Sequence, residues 1–237
     1  RRQGGGSRSQ GRAPADYQSP SMIPIRLTGG VHGGVPLKAP STFLRPMMQM
    51  VRKTLFDLLV VMDVLDESCT MLDMYSGSGV VGFEALSRGM GHCTFCDFSA
   101  PCVSAITENS EKLGVLDRIH VAKARVEQVL AKPEIANITS PVNLMTLTPP
   151  YVEVDYEDLF DAVTASPALG RDTILVVEYA KEMGLMPQEL RDWGFTGLRH
   201  RIFGRTYLAI LIWNPTGKLE LPPKPQEWAE AGSPWPA

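Results

Sequence analysis

Short apolar runs alternate along this chain with longer segments whose apolar residues recur every three to four positions, a pattern that holds from about residue 25 to residue 213. Apolar runs between turn signals predict buried strands, and the longer periodic segments predict covering helices. The spacing places a helix over 47–62, with Met50, Leu55, Leu58, Leu59 and Met62 on one side and Arg52, Lys53 and Asp57 on the other. Strands are expected over 70–74, 94–97, 119–123, 142–147 and 173–179. Helices are expected over 80–88 and 100–113, the second ending at Gly114. Two further strands, 198–202 and 206–213, flank Phe203-Gly204-Arg205 and predict an antiparallel hairpin at a sheet edge. Alternation of this kind argues for a mostly parallel sheet covered by helices.

The two ends of the chain break the pattern. Residues 1–21 are rich in Gly, Ser, Arg and Gln, with almost no bulky apolar side chains, so they are expected to be disordered. Their Arg- and Ser-rich, acid-poor composition also suits the remainder of an organelle transit peptide. Pro222, Pro223, Pro225, Pro234 and Pro236 mark 215–237 as an extended tail. One domain over 22–214 remains, and 237 residues at 44% apolar content can bury one sizeable core.

Composition narrows the function classes. A net charge of −3 does not suit a general polyanion binder, which confines nucleic-acid contact to local clusters such as Arg45, Arg52 and Lys53. No apolar run approaches the roughly 20 residues of a membrane span. Asp57, Asp63 and Asp66 interrupt the longest candidate, so a soluble protein is expected. Cys69, Cys93, Cys96 and Cys102 are too few and too irregular for a secreted disulfide scaffold, which favours a reducing compartment. Cys93 and Cys96 have a metal-like spacing, but residues three apart on a strand face opposite ways, and no metal is expected.

Two motifs carry the chemistry. A strand ending in Leu72-Asp73 runs through Tyr75-Ser76-Gly77-Ser78-Gly79 into a helix, bringing bare backbone and a helix N-terminus toward a ligand. Dinucleotide and adenosylmethionine sites share such loops. Asp73 ahead of the glycines favours the second, because a carboxylate there can receive hydrogen bonds from a methionine amino group. Asp97, closing the next strand, is placed either to accept from ribose hydroxyls or to cap the following helix. Region 124–127 offers an adenine only Arg125 and backbone groups, so that contact stays unassigned.

The second motif is Thr148-Pro149-Pro150-Tyr151, at the end of an apolar strand. Neither proline has an amide hydrogen, so the chain must leave the sheet rigidly, presenting carbonyls and Tyr151 to a ligand. This pattern points to methylation of an amino nitrogen. Asp, Asn or Ser usually precedes Pro-Pro-aromatic in such sites, whereas here the residue is Thr148. Downstream, Asp155 is placed either to take a proton or to cap a helix beginning at Tyr156.

Read in order, these segments resemble the RsmD-type 16S rRNA (guanine-N(2))-methyltransferase family. The resemblance rests first on Arg45-Pro46 with Val51-Arg52-Lys53-Thr54-Leu55-Phe56, then on Leu72 to Gly79 followed by Gly82 and Glu84-Ala85-Leu86-Ser87-Arg88-Gly89. Asp97 with Asn109, Pro149-Pro150-Tyr151, Val177-Glu178 and Phe203-Gly204-Arg205-Thr206 complete it. It implies an α/β class I (Rossmann-like) methyltransferase fold: a mostly parallel seven-stranded sheet, an antiparallel terminal hairpin and helices on both faces. It also implies S-adenosyl-L-methionine held by Asp73, Tyr75, Ser76, Gly77, Ser78, Gly79 and Asp97, and methylation of a guanine amine in small-subunit ribosomal RNA. Thr148, Pro149, Pro150 and Tyr151 would then be the catalytic set, with the Pro149 carbonyl and the 148 side chain accepting the amine hydrogens and Tyr151 stacking on the base. Arg45, Arg52 and Lys53 would meet RNA phosphates. The implied partner is ribosomal RNA or an assembling small subunit, bound by a monomer.

Thr-Pro-Pro-Tyr, Val154-Asp155-Tyr156 and the terminal hairpin look most like plant and algal plastid members, which makes a chloroplast location the expectation, ahead of mitochondrion or cytoplasm. Two departures from the family pattern bear on activity. Bacterial members carry Asp where this chain has Thr148, which leaves a neutral acceptor and makes a catalytically impaired assembly or RNA-binding factor the alternative. Bacterial members also carry basic residues in an N-terminal hairpin that resembles 29–37 here, where His32 and Gly34 stand instead, so a weaker phosphate grip follows.

Overall fold

Five apolar strands with bulky side chains on both faces can be satisfied only by a sheet buried between two helical layers. The computed structural model describes residues 24–42, 44–150, 154–181 and 193–219. In chain order the elements are β1 (Ile25–Arg26), β2 (Pro36–Leu37), α1 (Gln49–Val61), β3 (Thr70–Met74), α2 (Val80–Ser87), β4 (His92–Cys96) and α3 (Ala100–Leu113). There follow β5 (Ile119–Ala122), α4 (Val126–Ala131), β6 (Leu144–Leu147), α5 (Tyr156–Thr164), β7 (Ile174–Ala180), β8 (Phe195–Phe203) and β9 (Thr206–Trp213). The segment expected to be disordered at 1–21, positions 220–237 of the expected tail, and Tyr151 lie outside the described residues.

The main sheet has seven strands in the order β5-β4-β3-β6-β7-β9-β8. Strands β5, β4, β3, β6 and β7 are parallel, while β9 runs antiparallel to β7 and β8 antiparallel to β9. This is the class I methyltransferase architecture with its terminal hairpin. From β3 the chain builds outward through β4 and β5, then returns to lay β6 on the other flank of β3. That reversal opens a crevice at the carboxyl ends of β3 and β6, where open α/β sheets bind their ligands.

Successive strand residues fall into opposite apolar clusters, as a period of two requires. Met71, Leu144, Ile174 and Val176 pack with α1, α2 and α3. Leu72, Met145, Leu175 and Val177 pack with α4 and α5. Cys93 lies in the first cluster and Cys96 in the second, so the two thiols face opposite layers. Among the described residues no helix is long and apolar enough to cross a membrane.

Strand β3 and helix α3 have the expected bounds, and Gly114 ends α3 in the left-handed region at φ 66°. Helix α1 corrects the expected face. Val51, Arg52, Leu55, Phe56 and Leu59 are buried, whereas Met50 is 70% exposed. Arg52 sits within the apolar stripe because α2 supplies its counter-charge. The Glu84 carboxylate, fully buried, accepts from Arg52 Nε at 3.4 Å, Arg88 Nε at 2.9 Å, Thr28 N at 2.7 Å and Thr28 Oγ1 at 2.6 Å. Arg52 also donates to the Met47 and Arg26 carbonyls. One buried carboxylate thus fastens the β1–β2 arm and α1 to α2, the helix that follows the glycine loop.

Candidate active site at the sheet's switch point

The glycine loop turns sharply from β3 into α2. Tyr75, Gly77 and Gly79 all have left-handed backbone, with φ of 58°, 56° and 74°. At Tyr75, a residue with a Cβ, this costs on the order of 1–3 kcal/mol, the kind of strain that persists where surroundings enforce it at a site. The enforcement is visible. Ser76 Oγ donates to Asp73 O at 2.6 Å and accepts from Cys96 N at 2.9 Å, and Ser76 N donates to Cys96 O at 3.1 Å. A Cβ on Gly77 would lie 2.6 Å from Leu44 Cδ1, so the segment leading into α1 closes over the loop.

Asp97, just past β4, binds this loop directly. Its Oδ2 accepts from Gly77 N at 2.8 Å, and its Oδ1 accepts from Ser99 N at 2.9 Å, beside the start of α3. The turn role is observed, and a carboxylate's four or so lone-pair positions leave room for a hydroxyl donor besides.

Asp73 lies near the end of β3, ahead of the loop. Only 1% exposed, it accepts from Thr146 Oγ1 at 2.6 Å and from Gly82 N at 3.2 Å. Burial pushes its carboxyl up to about 7, against the pull of those two donors. Asp73 ties β3 to β6 and to the first turn of α2, at the place where the sequence reading expects the methionine amino group. Two other loop groups are buried polar atoms at the same turn. Ser78 Oγ has no hydrogen-bond partner among the described residues, and Tyr75 Oη is buried beside the Glu127 carboxylate. Burial, reinforced by the Glu127 carboxylate, raises the Tyr75 phenol and keeps it neutral.

The second motif abuts the first. Register pairs Met74 of β3 with Leu147 of β6, so Thr148 emerges beside Tyr75. Thr148 Oγ1 lies 3.4 Å from Met74 O and 3.5 Å from Tyr75 O. A hydroxyl that directs its hydrogen at those carbonyls offers lone pairs to an incoming donor. Pro149 is buried and Pro150 exposed. Asp155 proves to be the N-cap of α5, accepting from Glu157 N at 2.9 Å and Asp158 N at 3.3 Å.

Of the expected RNA-contacting residues, Arg45 is exposed, next to Leu44 on the glycine loop. Arg52 is not on the surface: at 2% exposure and paired with Glu84, it is structural, and burial lowers its guanidinium. Lys53 is exposed but bonds Asp57, which reaches Arg88 at the end of α2 remote from the loop.

Three further residues border the loop, of which only Asn109 entered the sequence reading. Thr146 is a lone hydroxyl within an apolar strand, directly opposite Asp73 in register. Asn109, 1% exposed, holds Lys38 through its backbone N–H and carbonyl and reaches Ser78 O at 3.4 Å. Phe98 follows Asp97 at 61% exposure, with the Arg125 guanidinium 5.5 Å from its ring centre. Among the described residues, no group of three or more His, Cys, Asp or Glu could hold a metal.

Comparison with known proteins agrees with this geometry. The family described as "Conserved hypothetical protein 95" matches residues 25–212. Ribosomal RNA small subunit methyltransferase D of Escherichia coli (strain K12) is 30% identical over 170 residues, covering 71% of this chain and 81% of that protein. The solved Escherichia coli protein yhhF matches with a TM-score of 0.68 at 24% identity, over 81% of this chain and 99% of that one. Magnesium protoporphyrin IX methyltransferase of Synechocystis PCC 6803, solved with bound SAM, matches with a TM-score of 0.55 at 13% identity, a likeness of fold covering 70% of this chain and 79% of that one.

Proposed function

This chain belongs to the family described as "Conserved hypothetical protein 95", and from that premise we propose that it is an S-adenosylmethionine-dependent methyltransferase for the exocyclic amine of a guanine in small-subunit ribosomal RNA. One observation carries the reading: Thr148 lies within 3.5 Å of the carbonyls that begin the glycine loop, so an amine at one motif faces a cofactor at the other. The name of the Escherichia coli relative supports ribosomal RNA as the substrate.

The loop's residues fit the cofactor. Ser78 Oγ is a buried polar group with no partner among the described residues, the glycines let a ligand approach bare backbone, and Asp97 retains lone pairs for ribose hydroxyls. When bound, S-adenosylmethionine supplies an electrophilic methyl group. Thr148 and the Pro149 carbonyl accept the amine hydrogens and so aim its lone pair. Tyr151 stacks on the base, a contact worth roughly 1–3 kcal/mol. A threonine hydroxyl cannot offset the positive charge that grows on nitrogen, and losing one electrostatic contact of that kind costs about 10²–10³ in rate. That deficit favours one second reading, a slow or inactive assembly factor that keeps the pocket.

Calorimetry tests the pocket: failure to bind S-adenosylmethionine at millimolar concentration would remove every catalytic reading. Mass spectrometry of ribosomal RNA from a knockout then separates enzyme from assembly factor, since the enzyme's loss must remove a methyl group from one guanine. A chloroplast location belongs to the same proposal, supported by the composition of residues 1–21. Import of the full chain into isolated chloroplasts, with mitochondria as the control, checks it.

A further inference from the structure

Resting on the reading of a guanine amine as substrate, we propose that Glu178, near the carboxyl end of β7, is a catalytic residue. Its carboxylate opposes the charge that grows on the amine and takes the amine's proton, the part that Thr148 leaves unfilled.

Register places it there. Leu147 pairs with Val177, so the next residues, Thr148 and Glu178, stand level on neighbouring strands. Side chains alternate along a strand and Thr146 pairs with Val176, so Thr148 and Glu178 also share a face. Strands lie about 4.8 Å apart, which brings an amine at Thr148 Oγ1 within the span of the longer glutamate side chain. Val176, on that face, packs with α1, α2 and α3, and α2 is the helix that the glycine loop enters. Residues 151–153 and 182–192 lie outside the described residues, and the placement rests on the register of β6 and β7 alone.

Glu178 is 6% exposed, a costly position for a carboxylate unless charge or hydrogen bonds surround it. Both signs of charge stand nearby. Leu208 of β9 is opposite Glu178 and Arg201 of β8 is opposite Leu208, so Arg201 is level with Glu178 on the same face, two strands away. Arg199, opposite Ile210, lies one row toward the start of β7. Arg45 precedes α1, and Asp73 stands one row down on β3, turned to Thr146 and Gly82. Glu178 has a further interaction of its own, as do Arg45, Arg199 and Arg201. A carboxylate has about four lone-pair positions, so one such contact leaves room for an amine.

The chemistry balances without another reagent. The nitrogen lone pair forms the new N–C bond as the C–S bond breaks toward sulfur, which leaves the nitrogen with a positive charge and a surplus proton. An N–H bond then breaks, an O–H bond forms on Glu178, and the carboxyl passes the proton to water.

Two ligands and three variants test the assignment. S-adenosylmethionine and S-adenosylhomocysteine differ by one methyl group and one positive charge, so their affinity ratio, read by calorimetry, senses a nearby carboxylate without turnover. Glu178→Gln keeps the shape and is expected to shift that ratio about tenfold toward the neutral ligand, the effect of a unit charge within about 10 Å at an effective dielectric of about 20. In single-turnover assays on transcribed small-subunit ribosomal RNA, Glu178→Gln is expected to lose about 10²–10³ in rate, and Thr148→Asp combined with it to restore most of that loss. A merely structural Glu178 would lower both affinities together and gain nothing from Thr148→Asp. Glu178→Asp, which keeps the charge and draws it back by one methylene, carries the test if the glutamine variant fails to fold: the ratio stays at the wild-type value and the rate falls about tenfold or more. An unchanged ratio or rate in Glu178→Gln, no recovery in the double variant, or an undiminished rate in Glu178→Asp would overturn the role of Glu178 and leave the methyltransferase reading standing. Wild-type protein that binds S-adenosylmethionine yet methylates no guanine would overturn the functional reading and this role with it.

Discussion

Asp73→Asn keeps the shape of an enclosed side chain and removes its ability to ionise. The carboxyl titrates at about 7 instead of 3.8 because burial disfavours its charge. Below pH 4 the acid is protonated in both folded and unfolded chains and contributes no difference. Between about pH 4 and 7 the unfolded chain releases a proton that the folded chain retains, so stability falls as pH rises. Above the folded value the loss is complete. Roughly three pK units at about 1.36 kcal/mol each make the loss on the order of 4 kcal/mol. In the variant, the Thr146 hydroxyl can turn to accept from the new amide while the amide oxygen accepts from Gly82 N, which preserves both contacts of the native side chain. Urea unfolding of both proteins from about pH 4 to 8 reads the effect as a wild-type-minus-variant difference that declines by that amount. Parallel curves would refute the reasoning, because they would mean that Asp73 does not titrate in a buried state. The variant also separates support from contact. If Asp73 only holds the loop, cofactor affinity changes less than tenfold; a lost bond to a charged group, about 1.5–3 kcal/mol, would exceed that.

Glu84→Ala strands Arg52 at 2% exposure and is expected to cost about 3–5 kcal/mol, read as a lower urea midpoint. A cost under about 1 kcal/mol would show that the arm and α1 do not depend on that carboxylate. Gly82→Ala puts a Cβ 2.3 Å from Phe95 and 2.6 Å from the Cys93 sulfur, and overpacking of this kind costs about 1–3 kcal/mol. An unchanged thermal midpoint would mean that α2 can shift off the sheet freely. Thr148→Asp is expected to retain or gain methyl transfer in single-turnover assays, by up to about 10²–10³. Complete loss of transfer would mean that the amine does not sit at Thr148.

What could be read from the sequence, and what could not, follows from the range of each interaction. Strand β3 and helix α3 were legible to the residue because their signals are local: an apolar run into a glycine loop, and a periodic segment stopped by Gly114. The face of α1 was not, because Arg52 counts as polar until Glu84, 32 positions away, neutralises it inside the core. Helix α4, six residues long, is too short for periodicity to register. The helix beginning at Tyr156 was foreseen only through its Asp155 cap. Within the site, the loop and Thr148-Pro149-Pro150 were legible as motifs, and their adjacency follows from laying β6 against β3. The Asp73–Thr146 bond was not, since it depends on a register that pairs residues 73 positions apart. A polar residue in an apolar strand was its one visible sign.

That register also decides what Thr148 can do. Side chains alternate across β6, so Thr146 and Thr148 share a face, the first spent on Asp73 and the second held near the Met74 and Tyr75 carbonyls. Three carboxylates around the loop are engaged: Asp73 by Thr146 and Gly82, Asp97 by Gly77 and Ser99, and Asp155 by the amides of α5. None of the three is placed as a base beside the amine, and the one nearest neutrality, Asp73, is sealed from it. Under the proposed function the proton released after transfer passes to water or to another acceptor, and Glu178, buried near the end of β7, is level with Thr148. On that reading Thr148 fixes direction and supplies no charge, so the rate rests largely on how rigidly β6 is held against β3.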